Sequence, residues 1–69
     1  MTLFVVTSIT MAIKGQNLLY KNRISSDIQR VADKKKYGCG YCVTVRHQSE
    51  AAEKLLRQSG IRILDVLKA

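Results

Sequence analysis

The first apolar run, Leu3-Phe4-Val5-Val6-Thr7, is nearly continuous and rich in β-branched and aromatic residues. Such a run predicts a central strand covered on at least one face. The period then changes. Met11, Ala12, Gly15, Leu18 and Leu19 recur at helical spacing, so a helix is expected to about Asn22, with Thr7 or Ser8 supplying the capping oxygen. Gly15 inside that stripe costs about 1 kcal/mol against alanine, and its expected use is close packing of the helix on the sheet. Lys14, Lys21 and Arg23 fall off the stripe toward water; Ile13 and Tyr20 are also off it, as contact residues or simply exposed ones.

Ile24 to Ala32 reads as a second strand whose imperfect alternation and polarity suit a sheet edge. Tyr41-Cys42-Val43-Thr44-Val45-Arg46 predicts a third, central strand. Ser49 is the expected N-cap of a second helix with Ala52, Leu55 and Leu56 on its buried stripe, stopping before Gly60 at the C′ position. Ile61 to Leu67 is the last strand expected.

The halves resemble each other. Asn17-Leu18-Leu19 to Ile24 aligns with Lys54-Leu55-Leu56 to Ile61, at 55 − 18 = 37 positions, and Val6-Thr7 falls on Val43-Thr44 at the same offset. Two β-α-β units in tandem give an α+β domain of the ferredoxin-like split β-α-β pattern. Right-handed crossovers then put strands 1 and 3 in the centre, with sheet order 4-1-3-2 and both helices on one face.

Length adds a constraint. At 69 residues the chain is one small domain, 1–69, with a thin core. Self-association, as a homodimer, would help to cover it. The hydrophobic fraction of 46% argues against disorder, and proline is absent. The net charge of +7 attracts nucleic acid, acidic proteins or anionic ligands and by itself selects none of them. No apolar run is long enough to span a bilayer, and the apolar start lacks the flanks of a signal peptide. A cytoplasmic protein with reduced, chemically used thiols is therefore expected, with no membrane partner.

The candidate chemistry sits in Lys34-Lys35-Lys36-Tyr37-Gly38-Cys39-Gly40-Tyr41-Cys42. Gly38 and Gly40 leave bare backbone on both sides of Cys39, so the turn displays a thiol; a plain hairpin turn is the simpler account. In the expected topology the exit of strand 1, Thr7-Ser8, lies beside the entry of strand 3, Tyr41-Cys42. Cys39 should then sit near free backbone N–H groups and the positive end of a helix dipole, with Lys34, Lys35 and Lys36 adding cationic charge. Both effects favour thiolate and could hold an anionic persulfide or selenide. The lysines also serve as a solvated edge that blocks sheet-to-sheet pairing.

Cys39 and Cys42 form a Cys-x-x-Cys, but one that opens a strand, which argues against a thioredoxin-type redox pair. Cys42 reads instead as a small apolar residue of a central strand. A structural zinc site needs four ligands, and only Cys39, Cys42 and a distant His47 exist, so no metal or other cofactor is expected without a shared dimer site. The acids Asp27, Asp33, Glu50, Glu53 and Asp65 are scattered, so a carrier or interaction protein is favoured over an enzyme.

Val5-Val6-Thr7-Ser8-Ile9-Thr10-Met11-Ala12, the Ile24-led strand, Gly38-Cys39-Gly40-Tyr41 and the helix end Ser59-Gly60-Ile61 together resemble the small bacterial selenium/sulfur carrier-like domains. The resemblance covers nearly the whole chain. It implies that Cys39 is the carrier residue, that Thr7, Ser8 and Thr10 line its pocket, and that the partners are proteins donating or accepting sulfur or selenium. The chain departs from many members in lacking proline before the cysteine and in its lysine run. A different class is a small basic module that binds nucleic acid, such as transfer RNA, or protein without chemistry: Tyr37 and Tyr41 beside the lysines offer stacking and phosphate contacts. Against it, the third strand lacks the aromatic pair of an RNA-recognition sheet.

Overall fold

The structure, a computed structural model, describes residues 1–31 and 40–68. Among these residues six elements follow in order: β1 (Thr2–Val6), α1 (Ile9–Lys21), β2 (Ser26–Arg30), β3 (Tyr41–Val45), α2 (Ser49–Gln58) and β4 (Ile63–Lys68). The strands form one antiparallel sheet of order β2-β3-β1-β4, the expected order read from the opposite edge. The fold is α+β, with a four-stranded antiparallel sheet and two helices among the described residues.

The pairing of β1 with β3 runs from Thr2 opposite Val45 to Val6 opposite Tyr41. Alternate residues face opposite sides of a strand, so Phe4, Val6, Val43 and Val45 share one face. That face packs against Ala12 and Leu19 of α1 and against Ala52 and Leu56 of α2 in a single buried cluster. Both helices therefore cover the same side of the sheet. Val5 and Cys42, directly opposite each other on the other side, are 0% and 3% exposed. Burial on both faces explains why β1 reads as a continuous apolar run and not as an alternation.

The helix stops carry the internal repeat. In α1 the N–H of Ile24 donates to the carbonyl of Leu19 (2.8 Å) and that of Arg23 to Tyr20 (3.0 Å). In α2 the N–H of Ile61 donates to Leu56 (3.1 Å) and that of Gly60 to Arg57 (3.2 Å). Each acceptor and donor is displaced by the same 56 − 19 = 37 positions. These are paired Schellman stops: the residue at C′ is left-handed, and the apolar residue after it folds back onto the last turn. The C′ residues are Arg23, at φ 62°, and Gly60, at φ 77°. Ile24 and Ile61 thus close helices and join the core, which is why the second and last strands begin at Ser26 and Ile63 and not at the isoleucines expected to lead them.

At the strand-to-helix junctions the repeat slips. α1 starts at Ile9 and α2 at Ser49, and α2 is the shorter helix. Val6 and Val43 share a face in the core, yet Val6 ends its strand where Val43 is in the middle of one. Ser49 is not the N-cap of α2. That position belongs to Gln48, left-handed at φ 58° and making no side-chain capping bond. Gly15 also differs from expectation. A β-carbon there would lie 2.9 Å from Leu56 Cδ2 but 3.7 Å from Val43 Cγ2, so its close approach is chiefly to α2 and less to the sheet.

Leu56→Ala, at a fully buried site between α1, α2 and the sheet, should cost about 2–5 kcal/mol in denaturant unfolding. The paired stops give a sharper check. Gly60→Ala adds a β-carbon that meets nothing within 4 Å, so its cost is backbone strain alone, about 1–2 kcal/mol. Arg23→Gly relieves the same strain and makes the unfolded chain more flexible, leaving stability unchanged or raised by up to about 1 kcal/mol. A substantial destabilisation by Arg23→Gly would contradict the equivalence of the two stops.

Candidate functional site

Ser8 forms the start of α1. It is extended, at φ −153°, and its Oγ accepts from the N–H of Met11 at 3.3 Å. Of the two hydroxyls expected to cap this helix, Ser8 takes the position and Thr7 remains exposed in the preceding turn. The N–H of Ala12 donates to the Ser8 carbonyl, which leaves those of Ile9 and Thr10 outside the helix ladder. No acid occupies the first turn of α1, whereas α2 carries Glu50 there. The positive end of α1 is therefore not offset by a carboxylate of its own first turn.

The register brings this helix start to the entry of β3. Val6 pairs with Tyr41, and the N–H of Val31 donates to the carbonyl of Gly40 at 3.2 Å, adding one rung beyond the Arg30–Tyr41 pair. Gly40 is buried at that end of the sheet. The juxtaposition expected between the exit of strand 1 and the entry of strand 3 is present. Lys34, Lys35, Lys36, Gly38 and Cys39, on which the chemistry was placed, lie outside the described residues.

Thr10 is exposed and lines a separate groove of about 480 Å³ with Ile13, Leu18 and Ser59, on the outer side of α1. Cys42 is a free thiol in the middle of the sheet, between Val5 and Gln29, where it fills space as a small apolar residue. Tyr41 is half-buried against the core, with the Arg30 guanidinium 5.9 Å from its ring centroid, a contact that occupies a ring otherwise available for stacking. No cluster of three metal-ligating side chains occurs among the described residues.

A further concavity lies at the opposite end of the sheet, where β2 begins and β3 ends. It has a volume of about 830 Å³ and is lined by Tyr20, Arg23, Ser26, Thr44, Arg46 and His47, among others. The sequence pattern puts Arg23 toward water, leaves Tyr20 as a contact or an exposed residue and puts His47 in a turn; only the topology shows that they meet.

No protein-family model matches this chain, and no curated protein or solved structure is significantly similar to it. No described helix is long and apolar enough to cross a membrane.

Two measurements test this geometry. Ser8→Ala should cost about 1 kcal/mol through loss of the α1 cap. Cys42, in a Cys39→Ser background, should resist alkylation in the folded protein and react at the rate of a free thiol once unfolded in denaturant; fast labelling under native conditions would contradict its burial.

Proposed function

We propose that the protein is a sulfur or selenium carrier in which Cys39 accepts the chalcogen from a donor persulfide or its selenium analogue, as Cys39–S–S⁻ or Cys39–S–Se⁻. The observation that supports this most is the register of β1 on β3. It holds Gly40, the residue bonded to Cys39, at the sheet end where α1 begins with two unclaimed N–H groups and no acid. An anion attached near that point gains from the helix dipole and from those donors. The Cys39 thiolate attacks the outer sulfur of a donor persulfide. A new S–S bond forms on Cys39, the old one breaks, and the donor leaves as a thiolate, so no oxidant is consumed. The lysines at 34–36 favour the thiolate and an acidic protein partner.

The resemblance to the selenium/sulfur carrier-like domains points the same way. The fold reading that goes with it is the ferredoxin-like split β-α-β class, supported by the sheet order, the two crossing helices and the repeated helix stops. Reduced thiol chemistry of this kind fits a cytoplasmic setting.

Incubation with a low-molecular-weight persulfide should add one sulfur to the wild-type chain and to Cys42→Ser, and none to Cys39→Ser. The peptide between Lys36 and Arg46 contains both cysteines, so the single variants make the assignment. Sulfur uptake that persists in Cys39→Ser, or equal and slow alkylation of both thiols, would leave the carrier reading untenable.

A further inference from the structure

The groove at the far end of the sheet holds features that the carrier chemistry does not use. Two arginines, Arg23 and Arg46, line it together with Tyr20, whose side chain is 80% exposed. Ser26 and Thr44 also line it, from opposite faces of the sheet, with their hydroxyl oxygens shut off from solvent. Thr44 is only 5% exposed.

The backbone adds to this. Arg23 and Gln48 are the left-handed non-glycine residues of the described chain, and both line the groove. At the equivalent stop of α2 the chain uses Gly60, so the repeat shows what relaxed backbone would place at position 23. Keeping arginine there retains a fork of N–H donors at the cost of strain. Gln48 provides no side-chain cap, which leaves first-turn N–H groups of α2 open at the same end. Asp27 is the acid that lines the groove; it can only accept hydrogen bonds and does not suit a phosphate.

We infer that this groove binds a nucleotide, with its phosphate held by Arg23 and Arg46 and its base laid on Tyr20. Arginine matches phosphate oxygens in a bidentate fork. An exposed aromatic ring is a sequence-tolerant platform for a base. Asp27 accepts from a ribose hydroxyl. The volume of about 830 Å³ is within the range of small-ligand sites. Free mononucleotides and single-stranded RNA present the same chemistry.

The proposal is independent of Cys39 and can be tested on the whole chain by amide chemical-shift titration with 5′-AMP, a ten-nucleotide oligoadenylate and inorganic phosphate. AMP should shift the amides around Tyr20, Arg23, Thr44 and Arg46. Arg23→Gly and Arg46→Gln should each weaken AMP about tenfold or more. Tyr20→Ala should weaken AMP at least fivefold and leave phosphate binding unchanged. Arg23→Gly is the stronger variant because it relaxes the backbone, so a loss of binding cannot be laid to unfolding. Arg62→Gln, which removes one exposed charge outside the groove, should change affinity less than twofold, and Cys39→Ser should not change it. Oligoadenylate binding more than tenfold tighter than AMP at the same amides identifies single-stranded RNA as the source; equal affinity identifies the mononucleotide. Groove amides that stay still at millimolar AMP, phosphate binding as tight as AMP, or equal losses in Arg62→Gln and Arg23→Gly would each overturn the assignment.

Discussion

The antiparallel pairing of β1 with β3 is the constraint on which the rest of this structure depends. Each strand leads into a helix that must return across the sheet, and the strand reached by each return pairs on the far side of the other central strand. Once β1 and β3 are neighbours, β2 and β4 have only the edges left. The same pairing aligns Phe4 with Val43, where one apolar face can bury both helices. A domain this small has no second core to fall back on. Leu19 and Leu56, each fully buried, therefore hold the helices to the sheet and at the same time accept the hydrogen bonds that end those helices.

That double use makes the helix stops the tightest part of the repeat. A Schellman stop fixes three things together: a left-handed residue, an apolar residue after it and a carbonyl in the last turn. Drift in any one of them disturbs the others, so the two halves agree closely there. Strand-to-helix junctions carry no such coupling. One starts with a serine whose side chain caps the helix, the other with a left-handed glutamine that does not. The shorter second helix absorbs the difference.

The same physics explains what could be read along the chain. β1 was legible because burial on both faces leaves a continuous apolar run, and the helices because Ala12, Gly15 and Leu19, or Ala52 and Leu56, repeat at helical spacing. Sheet order followed from the tandem pattern and chain-crossing rules. Boundaries were lost where one residue type serves two purposes: Ile24 and Ile61 look like strand leaders and act as helix locks. Ser49 has the chemistry of a cap, but the left-handed turn at Gln48 moves the cap one residue earlier. The partner of Gly15 was hidden because helix-to-helix distance has no signature in one-dimensional spacing. The sheet end that bears Gly40 was predictable from topology. The basic groove was not, since Arg23, Ser26 and Arg46 meet only after β2 and β3 pair.

The two ends of the sheet differ in what they ask of a bound anion. At the α1 start, attraction would come from main-chain N–H groups and a dipole that any residue sequence can provide, so in the proposed carrier the selectivity would come from the covalent bond to sulfur. At the groove, the donors are side chains of fixed shape, two guanidinium groups, and selectivity can be built into geometry. The left-handed Arg23 is the point where these demands meet the fold. Glycine would make the stop of α1 as relaxed as that of α2 and would remove one of the two forks. Strain that a single substitution could remove persists in a protein when the strained residue does something the relaxed one cannot. At Arg23 that something is a donor array over the groove.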